Sequence, residues 1–182
     1  MRYNIIIFNL MNAVRRVRFF LHFRKKGWLE SGVNINVYGK LEIGNNCIIG
    51  KNSKINIANS ARLKISDNVI LGGNCQIEVE NEVVIEANVT ISDNVFLADV
   101  THDFPTVSPF GERKVLAEDS TIISEGCWLG RNVVINPGCS IAKYNIIAAN
   151  SVVSKSITSS WGLYGGVPAV FIKSIEKYDH NF

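Results

Sequence analysis

From Ile123 the chain reads in sixes, ISEGCW LGRNVV INPGCS IAKYNI IAANSV VSKSI, with Ile123, Leu129, Ile135, Ile141, Ile147 and Val153 at the first places. A step of six is neither the 3.6 of a helix nor the seven of a coiled coil. The same step runs earlier, through Val37, Ile43, Ile49 and Ile55, then Ile65, Leu71 and Ile77, then Ile85, Ile91 and Leu97. The phase slips between blocks, by ten residues after Ile55 and by eight after Ile77. The first place always holds a branched aliphatic, fit for a stacked interior column. The fifth is mostly small or β-branched: Cys47, Ser53, Val69, Cys75, Val89, Val95, Cys127, Val133, Cys139 and Ser151. Gly, Asn and Asp gather between these places and tolerate the positive φ of a tight corner. Short strands joined by such corners and stacked coil on coil make a parallel β-helix. No coil buries its column alone, so stability is shared between neighbours and the ends need caps. Periodicity by itself does not fix the hand of the coil.

All four cysteines fall on the fifth place, where they pack inward as small apolar fillers. They form no C-x-x-C pair, and a reducing compartment is expected, so disulfide and zinc readings are poor. The 182 residues fit one domain. Net charge is only +3, but residues 1–30 carry seven Lys or Arg against Glu30, leaving −3 for the rest. A basic N-terminal piece on a mildly acidic body suggests a local anionic contact, not a nucleic-acid-binding domain. No apolar run reaches the length of a membrane span, and no cleavable leader is expected. The protein is expected in the cytoplasm, peripheral to the inner face of the membrane if its basic N-terminal stretch rests there.

The hexads stop at LADVTH and resume at Ile123, so residues 103–120, with two prolines and clustered charges, are expected to leave the coil as a loop. Long loops on rigid scaffolds carry function. His102 stands at the hinge of this excursion, and imidazole takes and returns protons near neutrality. Asp99 and Asp103 flank it, and either carboxylate suits an orienting role. His22, in the basic stretch, and His180, near the C-terminus, are weak candidates, and the three histidines are too scattered for an evident metal site. Residues 1–27 are expected to form a helix ending at Gly27. It either caps the coil or rests as a basic amphipathic helix on an anionic membrane.

The segment CWLGRNVVINPGCSIAKYNIIAANSVVSKSI followed by GGVPAVFIK resembles the C-terminal signature of the hexapeptide-repeat acyltransferases, and LADVTHDF resembles their short motif ending in a catalytic histidine. The branch it is most similar to holds sugar O-acetyltransferases, including those acting on capsule and O-antigen glycans. The likeness covers roughly residues 35–175. It implies an all-β fold: a left-handed parallel β-helix with an N-terminal helix, one excursion loop and a short C-terminal helix. The expected divisions are 1–30 for the helical cap, 31–158 for the coil and 159–182 for the tail. It also implies a homotrimer with active sites between subunits, and acetyl-CoA as acyl donor without a metal. Carried over, the catalytic histidine falls on His102, with Asp99 its expected partner. The cofactor residues fall on Trp128, Gly130, Ala148, Ala149, Ser154, Lys155 and Lys173. The chain departs from the pattern at Val170, where a basic residue is usual, and at Arg131, which offers a replacement charge. Val100 stands where a second histidine is frequent, and SITSSWGLYGG replaces the usual Pro-Pro turn. An acceptor-binding asparagine of the galactoside branch has no clear match.

The expected reaction is acetyl transfer to a sugar hydroxyl of a cell-surface glycan or its precursor. Alternatives are transfer to another small hydroxyl or amine, a zinc-dependent hydratase on the same kind of coil, and a non-catalytic scaffold. The sequence does not name the sugar, the hydroxyl, or whether a polymer or a lipid-linked unit accepts the group.

Overall fold

The computed structural model describes residues 2–102, 115–117 and 119–176. One helix, α1 (Arg2–Phe23), precedes a left-handed parallel β-helix of about six turns. Three sheets form the faces of a prism. Face A stacks β1 (Gly27–Leu29), β4 (Cys47–Ile49), β7 (Ile70–Leu71), β10 (Thr90–Ile91), β15 (Trp128–Leu129), β17 (Ile146–Ile147) and β19 (Gly162–Gly165). Face B stacks β2 (Asn34–Val37), β5 (Lys54–Ile57), β8 (Gln76–Val79), β11 (Phe96–Ala98), β16 (Val134–Ile135) and β18 (Val152–Val153). Face C stacks β3 (Lys40–Ile43), β6 (Arg62–Ile65), β9 (Glu82–Ile85) and β14 (Thr121–Ile123), and continues through single bridges at Ile141 and Ile157. The fold expected from the hexads is the fold found.

The corners explain the repeat. The fourth place of the hexad takes φ near +60° at Asn46, Asn52, Asn68, Asn74, Asn88, Asn94, Asn132 and Asn150. Asn is among the few side chains that accept this conformation. Stacked corners also bond to one another: the Asn46 amide donates to Asn68 (3.1 Å), Asn68 to Asn88 (3.0 Å) and Asn132 to Asn150 (2.8 Å). The fifth place turns inward as expected. All ten residues named for it are buried, and the thiols of Cys47, Cys75 and Cys127 donate to carbonyls of the next coil at 3.0–3.1 Å. Burial pushes the thiol pKa up, to about 11 at Cys75 and Cys127.

The phase slips have a structural cause. Trp128 pairs with Ile146 eighteen residues on, a strict three-hexad coil, whereas Ile48 pairs with Ile70 after twenty-two and Ile70 with Thr90 after twenty. The added residues lengthen the B and C strands of the early coils. Each then points two side chains inward, Ile55 and Ile57 on β5, Leu63 and Ile65 on β6.

Three expectations are corrected. Val37, placed in the interior column, is 43% exposed, because the first coil has a neighbour on one side only. The helix ends at Phe23 rather than at Gly27, with Arg24 in the left-handed region (φ 55°) and its N–H donating to the Phe20 carbonyl. Gly27 instead opens β1 and serves close packing: a Cβ there would lie 2.6 Å from the Phe19 ring. The tail holds no helix among the described residues. The chain turns at Gly166–Pro168 and returns as β20 (Val170–Ser174), antiparallel to β19. VFIKS is rich in β-branched and aromatic residues, and the open edge of β19 offers unpaired backbone groups that this hairpin satisfies. No described helix is long and apolar enough to cross a membrane.

Candidate active site

On face A the outward side chains fall into one register column, in which Ile70, Thr90, Trp128 and Ile146 are successive neighbours. The Trp128 indole is 50% exposed and lies along this column, its Nε1–H donating to the Ser92 hydroxyl at 3.1 Å. Beside it runs a groove of about 590 Å³ lined by Trp128, Gly130, Arg131, Ala148 and Ala149 among others. Its floor requires small residues. A Cβ on Gly130 would come within 2.6 Å of the Ala149 nitrogen and 2.8 Å of the Ile147 carbonyl, so only glycine lets the coils stack at this point.

Five expected cofactor residues therefore meet in one groove. Arg131 is already partnered there, its Nη2 lying 2.6 Å from the Asp93 carboxylate on the coil below. Both side chains are well exposed, so the pair is weak and an incoming anion can replace Asp93. Ser154 and Lys155 do not line the groove; they follow β18, at the end of face B. Lys173 lies on β20, facing Leu163 of β19 at the edge of the groove's own sheet. Sequence reasoning missed Ser92 and Asp93. Leu129 and Ile91 both hold first places, and counting hexads across the excursion would have put Trp128 beside Thr90.

His102 is the exposed last residue of β12 (Val100–His102), which pairs antiparallel with β13 (Val115–Ala117), Val115 opposite His102. This ribbon leaves the coil after β11, at the edge where face B turns into face C. The departure is secured by Asp99, which is fully buried; its carboxylate accepts the backbone N–H groups of Glu80 at 2.8 Å and Asn81 at 2.9 Å. Asp99 thus braces the hinge against the coil below and acts on His102 by placing its strand. Asp103 and His180 lie outside the described residues, while His22 sits exposed on α1 and donates from Nδ1 to the Arg18 carbonyl. Among the described residues no cluster suited to a metal ion occurs.

Residues 120–155 match the family model described as bacterial transferase hexapeptide (six repeats). The chain is 32% identical over 108 residues to a protein of Escherichia coli K12 named as a lipopolysaccharide biosynthesis O-acetyl transferase, a match covering 54% of this chain and 52% of that one. It is 32% identical over 100 residues to the galactoside O-acetyltransferase of the same organism, covering 55% and 48%. It spans about half the length of both relatives. Among solved structures, an N-acyltransferase from Bacillus cereus in complex with dTDP-4-amino-4,6-dideoxyglucose and coenzyme A superposes with a TM-score of 0.60 at 21% identity, over 80% of this chain and 79% of that one. That last likeness is one of fold. Repeat and coil agree: the chain folds as a left-handed β-helix built on hexapeptide repeats, and it is similar in sequence to O-acetyltransferases that act on sugars.

Proposed function

We propose that this protein transfers the acetyl group of acetyl-CoA to a sugar hydroxyl of a cell-surface glycan or its precursor. The observation that carries the reading is the pairing of a shallow, glycine-floored groove under Trp128 with an exposed histidine on a strand built out of the coil. The narrow floor and the indole suit the extended pantetheine arm. Arg131 and Lys173 offer cations to the nucleotide phosphates as charge-assisted donors. The named O-acetyltransferase relatives support a sugar as acceptor.

The His102 imidazole takes the hydroxyl proton while the oxygen bonds to the thioester carbonyl carbon. The tetrahedral adduct collapses as the C–S bond breaks, and the imidazolium returns its proton to the thiolate. Backbone N–H groups stabilise the oxyanion in between. Face A and the B–C edge are opposite sides of one prism, so groove and histidine of a single chain stand apart. A closed ring of copies, a homotrimer in this reading, brings the edge of one against the face of the next.

The test is kinetic and calorimetric. His102→Ala should lower kcat by about 10²–10⁴-fold while leaving CoA affinity intact, and Trp128→Ala should weaken CoA binding. A folded His102→Ala variant with undiminished turnover on its acceptor would overturn the assignment.

A further inference from the structure

Helix α1 turns Phe19, which is fully buried, and Phe23 toward the coil. Its other large apolar side chains from residue 11 on, Met11, Val14, Val17, Phe20 and Leu21, are each half exposed or more. At about 100° per residue these five occupy one continuous half of the helix surface. Arg16 falls just outside one margin of that half and Arg18 just inside the other, between Val14 and Met11. Contiguous apolar surface rimmed by charge marks an interaction site.

At the base of the same helix lies a cavity of about 620 Å³, between α1 and the first two strands of face A. Val17, Phe20 and Ile48 supply apolar wall, and Arg16, Lys25 and Lys26 stand around it. Arg16 is held over the Trp28 ring, 5.6 Å from its centroid. Among the described residues none of these three cations is ion-paired, since Glu30, the one acid of residues 1–30, is taken by Arg15 at 2.9 Å. The cavity thus joins an apolar pocket to three unneutralised positive charges, the complement of a phosphate ester carrying a hydrocarbon chain. A second copy of α1 fits poorly, because cations at both margins would face cations.

We propose that this cavity binds the phosphate and upper acyl chain of an anionic membrane lipid, with the exposed half of α1 lying in the bilayer interface beside it. Such helices combine apolar burial with attraction to anionic headgroups. The proposal is independent of the acetyl-transfer reading.

Flotation of the full chain on vesicles tests it. Binding is expected on phosphatidylcholine mixed with phosphatidylglycerol, not on phosphatidylcholine alone, and salt should release it. The triple variant Arg16→Ala, Lys25→Ala, Lys26→Ala should bind about a hundredfold more weakly, with unchanged turnover on a soluble acceptor and unchanged melting. Dodecyl phosphate should displace the vesicles, whereas inorganic phosphate and dodecyl maltoside should not. Displacement by inorganic phosphate at equal concentration would reassign the site to small anions and overturn the lipid. So would equal flotation of the triple variant. A change of assembly mass on Leu21→Ser, with flotation retained, would make the helix face a contact between protein chains instead.

Discussion

Asn68 adopts φ 59°, donates its side-chain amide to Asn88 at 3.0 Å and accepts from Asn46 at 3.1 Å. Two separable energies meet in that one residue. A left-handed backbone costs an ordinary L-residue roughly 1–2 kcal/mol, and each exposed amide pair is worth about 0.5–1 kcal/mol. Asn68→Gly removes only the pairs, whereas Asn68→Ala removes them and adds the backbone cost. Alanine should therefore lose about 2–3 kcal/mol and glycine about half as much, read by urea unfolding. Equal losses would mean that the corner conformation costs nothing. Where the ladder stops using Asn, the same corner carries Gly126, Tyr144 (φ 59°) and Trp161 (φ 63°), with the two aromatic rings stacked at 4.4 Å. A Cβ on Gly126 would strike the Tyr144 ring. The glycine is thus fixed by its neighbour above as well as by its own φ.

Among the elements, the excursion is the one that interrupts the coil without disturbing it. Thr90 pairs directly with Trp128 across thirty-eight residues, and Ile91 with Leu129. Excising residues 100–119 restores a six-residue step from Leu97 to Ile123 and leaves the Asp99 brace in place. That variant should fold, melt within a few degrees of the parent, bind CoA and transfer nothing; loss of CoA binding would show that the ribbon also builds the groove. The excursion was legible because regular hexads stop and restart around it, and the buried fifth-place residues were legible for the same reason. Less was legible wherever a side chain's surroundings come from distant chain. Val37 has the right identity for an interior column and is exposed because no coil lies beneath it. The helix stop at Arg24 carries no glycine signal. The β19–β20 hairpin depends on an open strand edge that only the finished coil provides. In the site, Trp128 and Gly130 were readable from the motif, while Asp93, which holds Arg131, belongs to the coil below.

At the scale of the molecule, the groove on face A and the ribbon on the B–C edge set a geometric condition on activity. If each site takes its histidine from one copy and its groove from the next, two inactive variants should repair each other. Co-expressed His102→Ala and Trp128→Ala chains that mix at random would then form sites with both native parts about a quarter of the time. Activity near that fraction, absent when the purified variants are kept apart, is the expected outcome; no recovery in a verified mixed assembly would place both groups of each site in one chain. The thirty-eight-residue pairing has one more consequence. Since adjacent rungs pair across the insert, its sequence can drift, lengthen or be exchanged for another while the groove on face A keeps its lining; under the proposed reading, the choice of acceptor and the grip on the donor are then free to evolve separately.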